Sequence, residues 1–179
     1  DDVAGAGVGG LLVFGVPDRK DEAASAAYEP DGVVPRAVRA IKQVAPDLPV
    51  ITYLCSSNFV APREIEFVQA WVEQLRQADD PGLRECQLLI RPHPKQQAQW
   101  KGFAFTDDSR TAVGTSEFGD EQGLYDCLHH SAAVVALNTT AALEAGALGT
   151  PVYTLLADQF RSGQEGTLHF HYLLRRNGG

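Results

Sequence analysis

Short apolar runs that alternate with helical segments constrain the fold of this chain more than any other feature of its sequence. The run GLLVFGV from Gly10 to Val16 and the run PVITYLC from Pro49 to Cys55 have the length and composition of strands buried on both faces. Similar runs cover 86 to 90, 132 to 137 and 151 to 156. Strands that alternate with helices predict an α/β fold with a parallel sheet covered on both faces.

Apolar residues recur at helical spacing between these runs. The clearest stripe contains Ile65, Val68, Trp71, Val72 and Leu75, in a helix that we expect to begin near residue 62 and to end at the turn of residues 80 to 82. Further helices are expected at 34 to 46, 124 to 130, 139 or 140 to 149, and 169 to 176. Residues 95 to 119 show no clear pattern.

These elements predict a single domain over residues 1 to 179, a three-layer α/β/α sandwich around a Rossmann-like, mostly parallel sheet of about six strands. In such a sheet the strand at 50 to 55 is central, between those at 86 to 90 and 132 to 137. The strand at 10 to 16 must then dock at an edge of the sheet or displace a neighbour, and we predict an edge. The segment 10 to 55 reads as a strand, helix, strand unit with a right-handed crossover.

Composition narrows the possible partners and the location. The 23 acidic residues outnumber the 15 Lys and Arg residues and give a net charge of -8, which argues against nonspecific nucleic-acid or anionic-membrane binding. No apolar stretch approaches the ~20 residues of a membrane span, and the Asp1-Asp2 start lacks the basic region of a signal peptide. Three distant cysteines indicate neither a disulfide framework nor a zinc site. We therefore expect a soluble chain in the reducing cytoplasm.

Candidate binding residues follow the strands at the expected ligand-binding edge of the sheet. Asn138, Thr139 and Thr140 stand between a strand and a helix, where free N–H groups and the helix dipole suit a diphosphate. The alternative is that Asn138 or Thr139 is only a helix cap. Glu144 lies in the first turns of the same, otherwise apolar helix, so this acid needs a partner, unless it is simply a solvated glutamate.

Two further pairs of candidate binding residues stand where neighbouring strands end. Arg91 offers a planar fork to phosphate, and His93 could donate a hydrogen bond to a phosphate or sugar oxygen. The alternative is an arginine paired with an acid and a histidine ordered by the flanking prolines. Ser56 and Ser57 could line the same cleft, although serines often simply begin loops.

Other tempting patterns carry no function. Residues 5 to 10 fit GxGxxG but precede a strand instead of following one. The pairs His129-His130 and His169-x-His171 lack further ligands at metal-binding spacing, and no GxSxG elbow supports a hydrolase triad. We expect no metal, no cofactor and no catalytic residues.

Residues ~10 to 54 resemble a segment of porphobilinogen synthase (5-aminolevulinate dehydratase), a β/α barrel enzyme. The words that carry the resemblance are LLVFGVPDRKDEAASAAYEPDGVV and RAVRAIKQVAPDLPVIT. The family's strand continues into a cysteine-rich metal loop, with Schiff-base lysines on later strands. Here Tyr53 to Ser57 follow instead, Lys20 is not the Schiff-base lysine, and a barrel of ~250 residues does not fit in this chain.

Residues ~53 to 179 resemble the C-terminal half of a GT-B-type glycosyltransferase related to surface-polysaccharide enzymes. The words are YLCSSNFVAPREIEFVQAWVEQLR, LLIRPHP, VVALNTTAALEAGALGTPVYTLL and LHFHYLL. The resemblance implies a nucleoside diphosphate or nucleotide-sugar ligand. It also implies that the HP motif contacts that ligand and that Glu144 accepts hydrogen bonds from ribose hydroxyls.

The two resemblances together predict a chimera, with a barrel-derived unit at 1 to 54 and a glycosyltransferase-like segment at 55 to 179. Without an acceptor domain, the expected function is nucleotide-sugar binding without turnover. The alternatives are an engineered or recombined chimera with no ligand and, with less support, a porphobilinogen synthase fragment. A homodimer is a further expectation, because a missing partner domain would leave apolar surface bare.

Overall fold

The computed structural model describes residues 8–14, 48–114 and 120–173. Lys20, the expected helix at 34 to 46 and the end of the expected C-terminal helix lie outside these ranges.

The described strands form one six-stranded sheet. The strands are β1 Val8–Phe14, β2 Val50–Leu54, β3 Gln87–Arg91, β4 Thr111–Val113, β5 Ala133–Ala136 and β6 Val152–Ala157. Their order across the sheet is β1-β6-β5-β2-β3-β4. β2 through β6 are mutually parallel, and β2 is hydrogen-bonded to β3 and β5. The expected central position of β2 between these two strands is confirmed.

β1 lies at the sheet edge, as expected, but it runs antiparallel to β6. Its register places Leu11 opposite Leu155 and Phe14 opposite Val152. Because β6 is parallel to β5 and β2, β1 is also antiparallel to β2, and two strands separate them. The expectation of a right-handed parallel crossover from β1 to β2 is therefore wrong. An antiparallel edge strand is common on otherwise parallel sheets.

Helices connect and cover the strands. Those within the described ranges are α1 Glu64–Arg76, α2 Pro81–Glu85, α3 Gln97–Trp100, α4 Glu121–His130, α5 Thr140–Ala147, α6 Arg161–Glu165 and α7 Leu168–Leu173. The segment expected to be a turn after α1 is instead the start of α2, because Asp80 accepts hydrogen bonds from the N–H groups of Gly82 and Leu83 and Pro81 takes the first helical position.

Consecutive residues of each central strand point into two different cores, as a pleated strand requires. Tyr53 and Val135 pack with α1, where Trp71 lies 5.1 Å from Tyr53 between ring centroids. Leu54 and Val134 pack on the opposite face in a second core, which contains residues of α4 and α5. Two cores on the two faces of one sheet confirm the α/β class and the expected layering. The GT-B type is not confirmed.

The segment from 95 to 114, which showed no readable pattern, contains α3 and the edge strand β4. Arg76 of α1 holds β4 in place, since its guanidinium donates to Asp108 at 2.6 Å and to Thr111 Oγ1 at 3.0 Å. The same side chain donates to the Cys86 carbonyl at 2.8 Å. Contacts of this kind join residues 10 to 35 positions apart, so local periodicity does not reveal them.

None of the helices in the described ranges is both long enough and apolar enough to span a membrane.

Candidate functional site

A pocket of about 220 Å³ opens at the carboxyl edge of the sheet, beside the ends of β2 and β3 and the start of α5. Open α/β sheets bind ligands at this edge. The lining combines apolar side chains, one arginine, one histidine, three carboxylates and two threonines. Its members are Leu54, Cys55, Arg91, Pro92, His93, Pro94, Asp120, Glu121, Leu124, Thr139, Thr140, Ala141 and Glu144. Five of the eight candidate residues from the sequence therefore meet at one pocket.

The side chain of Arg91 is already engaged by the start of α4. Its guanidinium donates to the Asp120 carboxylate at 3.1 Å and to the carbonyls of Asp120 and Gly123 at 3.3 and 3.4 Å. Only 8% of the Arg91 side chain is exposed. Asp120 in turn accepts from the Gly123 N–H and so caps α4. The alternative considered from sequence, an arginine paired with an acid, describes this contact.

His93 is half-buried at the rim and is oriented by its own loop. Its Nδ1 accepts a hydrogen bond from the Lys95 N–H at 3.1 Å, which caps the short 3-10 turn Pro94–Gln96. Partial burial, followed by the nearby charge of Lys95, lowers the pKa of His93. With Nδ1 accepting, the neutral ring carries its proton on Nε2, so His93 offers one hydrogen-bond donor.

The first turn of α5 is open to the pocket. Thr139 stands at the N-cap position with an extended backbone, but its hydroxyl does not cap the helix. Neither Thr139 nor Thr140 uses its hydroxyl for a bond within the described part of the chain, and both line the pocket. Helix N-termini without a side-chain cap leave N–H groups and a partial positive charge for a ligand.

Two glutamates bring negative charge to the same pocket. Glu144, on α5, is partly buried, and this burial, followed by the charge of Glu121 at the start of α4, raises its pKa. No hydrogen bond or ion pair within the described ranges occupies the carboxylate of either residue. Because Arg91 is paired with Asp120, the pocket as a whole carries excess negative charge.

The other three candidates do not line the pocket. Asn138 uses its side-chain amide inside the protein, donating to the Gln164 carbonyl at 2.9 Å and to Thr167 Oγ1 at 2.7 Å. Ser56 is fully buried, and its N–H, carbonyl and hydroxyl groups all form hydrogen bonds within the protein. Ser57 accepts two backbone hydrogen bonds through its carbonyl, in the turn that leads to Ala61. Their positions near strand ends were expected, but these contacts give them structural roles.

Sequence reasoning missed three acids. Asp120 and Glu121 follow a stretch with no readable pattern, although an aspartate directly before a helix is a recognised cap signal. Glu64 precedes Val68 by four residues and Trp71 by seven, so it continues the apolar stripe of α1. Glu64 is 1% exposed, and an acid on an apolar stripe was the available signal for a buried carboxyl.

The described residues contain no group of three or more His, Cys, Asp or Glu side chains that could hold a metal ion. The thiols of Cys55, Cys86 and Cys127 are all free and buried. Burial raises the pKa of Cys127 to about 11 and that of Cys55 well above its ordinary value, so neither is an activated nucleophile.

Comparison with known proteins finds relatives of the N-terminal segment. Residues 1–74 match the family of delta-aminolevulinic acid dehydratase. The protein of that name from Halalkalibacterium halodurans is 41% identical over 59 residues, which are 33% of this chain and 18% of that protein. The protein of the same name from Methanothermobacter thermautotrophicus is 46% identical over 55 residues, 31% of this chain and 17% of that protein. No solved structure matches significantly.

These matches confirm the porphobilinogen synthase resemblance of the N-terminal segment. The chain spans less than a fifth of the length of these relatives. The family match reaches residue 74 and so includes β2 and most of α1, beyond the expected boundary at residue 54. The division of the chain into two segments stays a prediction.

The glycosyltransferase resemblance finds no support, and the expectation of a nucleotide-sugar-binding half is wrong. The relatives found are delta-aminolevulinic acid dehydratases. Two physical properties of the pocket also argue against a nucleotide-sugar ligand. Its volume of about 220 Å³ is below the ~300 to 1,000 Å³ usual for ligands of drug size. Its one arginine is neutralised by a carboxylate, so a diphosphate would meet net repulsion.

Proposed function

We propose that this protein is a small-molecule-binding α/β domain whose pocket takes a compact zwitterion, with one carboxylate and one amine. The observation that carries the proposal is the composition of the pocket, which combines an uncapped helix start with two carboxylates that lack described partners. In a ligand with both charges, the carboxylate accepts hydrogen bonds at the helix start and the ammonium group pairs with the two glutamates. A purely anionic or purely cationic ligand makes only one of these two contacts.

The carboxylate of such a ligand is assigned to the start of α5. The free N–H groups there, the Thr139 and Thr140 hydroxyls and the Nε2 proton of His93 are all donors around one volume. Hydrogen bonds to an ionised acceptor are roughly twice as strong as neutral ones.

The amine is assigned to Glu144 and Glu121. Their mutual repulsion contributes to the raised pKa of Glu144, and an ammonium group between them would relieve it. A ligand that removes an unfavourable charge interaction gains affinity from that relief in addition to its own contacts.

The similarity of residues 1–74 to delta-aminolevulinic acid dehydratase suggests the first ligand to test. 5-Aminolevulinate is a short zwitterion with a carboxylate and an amine at opposite ends. We propose ligands of this class for the pocket, without turnover. We also retain the cytoplasm as the proposed location, on the basis of the three free thiols.

Isothermal titration calorimetry with matched ligands tests the proposal. 5-Aminolevulinate is compared with levulinate, which lacks the amine, and with 1-aminopentan-2-one, in which a methyl group replaces the carboxylate. We expect both truncated ligands to bind at least about tenfold more weakly, since each loses one charged contact. Glu144→Gln should weaken 5-aminolevulinate but not levulinate, whereas Glu66→Gln, on exposed surface, should change neither. Equal binding of all three ligands, or no binding of any, would reject the proposal.

A second candidate, residual dehydratase activity, is favoured only by the family match. A covalent imine with substrate requires an amine from the enzyme, and no lysine is among the described residues that line the pocket. The test is whether purified protein forms porphobilinogen from 5-aminolevulinate. Formation of this product in proportion to protein concentration would replace the binding proposal with an enzymatic one.

A further inference from the structure

Ser56 joins three segments of the chain beneath the pocket. It follows β2, is fully buried, and donates its N–H to Glu64 Oε2 at 2.7 Å. Its carbonyl accepts from the Gln96 side chain at 2.9 Å. Its hydroxyl accepts from the Asn138 N–H at 3.4 Å. One residue therefore fixes the end of β2 relative to α1, the 3-10 turn and the chain that enters α5.

Glu64 is the only ionisable partner of Ser56 in this set of contacts. Its side chain is 1% exposed, and its second oxygen accepts from the Tyr53 hydroxyl at 3.0 Å. No cation within the described ranges pairs with it. The donors to this buried carboxylate, from Ser56 and Tyr53, are all neutral. A buried carboxylate without a positive partner is an expensive arrangement, and it is the feature of this region that needs an explanation.

The partners of Ser56 belong to the two loops that form the pocket. Gln96 ends the turn that begins after His93, and Asn138 directly precedes Thr139. Cys55, between Tyr53 and Ser56, lines the pocket itself, and its thiol interacts with the backbone of His93. The hydrogen bonds around Glu64 and Ser56 thus reach both sides of the ligand site.

We infer that Glu64 and Ser56 are positioning residues for the pocket, and that the negative charge of Glu64 holds the 91–96 and 138–140 loops in the arrangement that binds the ligand. This inference rests on the ligand pocket of the proposed function and adds a control of its affinity. Neither residue touches the ligand.

The charge of Glu64 changes within the neutral pH range. Burial raises its pKa to about 7, against the opposing effects of the hydrogen bonds from Ser56 and Tyr53. The titratable groups that interact with it are Tyr53 of β2 and Cys55, which directly follows β2. The pKa values of both are raised well above normal, so both stay neutral here. Protonation of Glu64 converts charge-assisted bonds to Ser56 into weaker neutral ones.

The first test needs no ligand. Amide chemical shifts of Ser56, Asn138 and Thr140 are followed by NMR from pH 5.5 to 8.5. We expect one shared midpoint near pH 7 in the wild type and its loss in Glu64→Gln. The matched control Glu66→Gln, on the same helical turn but exposed, should keep the midpoint.

His93 and Glu144 also titrate near these amides, so Glu144→Gln is measured as well and should keep the shared midpoint. The inference is overturned if the three amides do not share a midpoint in the wild type. It is equally overturned if the midpoint persists in Glu64→Gln.

The second test measures the affinity for 5-aminolevulinate against pH. We expect the wild type to bind about threefold to tenfold more tightly at pH 8 than at pH 6, after correction for the pH response that all variants share. Glu64→Gln should lose this extra pH dependence. Ser56→Ala should bind more weakly at every pH, while Ser57→Ala should match the wild type.

Different results would reject the proposed ligand-binding function and the inference about Glu64 and Ser56. If 5-aminolevulinate binds but Glu64→Gln has the same pH profile as the wild type, the inference is wrong and the proposed function stands. If no ligand binds at any pH, the proposed function is wrong, and the amide shifts alone decide whether Glu64 positions the two loops.

Discussion

Glu64 should make the stability of this protein depend on pH between its unfolded and folded pKa values. Its folded-state pKa of about 7 lies above the ordinary 4.5 that the unfolded chain is expected to show. Between these two values the folded state binds more protons than the unfolded state, so the free energy of unfolding should fall as pH rises through this window. Above pH 7 both states are ionised and the dependence on Glu64 ends.

The size of this effect follows from the two pKa values. A tenfold change in an acid dissociation constant corresponds to ~1.4 kcal/mol, so the change from 4.5 to about 7 corresponds to about 3 kcal/mol. That is a large part of the ~5 to 15 kcal/mol by which domains of this kind are stable. The carboxyl is almost fully buried, so solvent screening reduces the effect little.

Glu64→Gln isolates the contribution of this carboxyl. Glutamine keeps the shape, accepts from the Ser56 N–H through its oxygen, and offers its amide to the Tyr53 oxygen, but it does not ionise. We therefore expect the stability difference between variant and wild type to shift by about 3 kcal/mol in favour of the variant between pH 4.5 and pH 8.

Urea unfolding monitored by tryptophan fluorescence measures this difference, because Trp71 packs against Tyr53 and reports on the same core. Glu66→Gln is the control and should run parallel to the wild type, since its exposed carboxylate pairs only with Arg63. Wild type and Glu64→Gln curves that stay parallel across the window would refute the reasoning about Glu64.

Two further predictions concern a close backbone contact and a partly buried ion pair outside the pocket lining. Gly163→Ala should lower the free energy of unfolding by at least about 2 kcal/mol, because an added Cβ would lie 2.2 Å from the Val60 carbonyl oxygen. Thermal unfolding measures this, with Gly146→Ala in α5 as the control, where no atom lies within 4 Å of an added Cβ and a gain of up to about 1 kcal/mol is expected. Arg76→Ala should lower the free energy of unfolding by about 3 kcal/mol in urea, because the mutation removes the nearest cation from the mostly buried Asp108 carboxylate and the side-chain donor to the Cys86 carbonyl. Arg63→Ala, at an exposed ion pair, should change stability by less than ~0.5 kcal/mol, and equal losses in the two arginine variants would contradict this account.

The five candidate residues that line the pocket show how well a sequence can locate a site. Topology rules place strand ends at a common edge, so Arg91, His93, Thr139, Thr140 and Glu144 were expected together and line one pocket. What each does there depends on its neighbours. Arg91 is paired with Asp120, which lies 29 residues away and beyond a segment with no readable pattern. The ligand chemistry therefore differs from the one that the residue types alone suggested.

The sequence by itself determined the α/β class, the strand order around β2 and the edge position of β1, because hydrophobic periodicity is a local property and few topologies bury such strands. Only the tertiary structure decided the direction of β1, the pairing of Arg91 and the burial of Glu64. Each of these depends on contacts between segments far apart in the chain. The free energy of such contacts comes from burial and hydrogen-bond partners that no local pattern specifies.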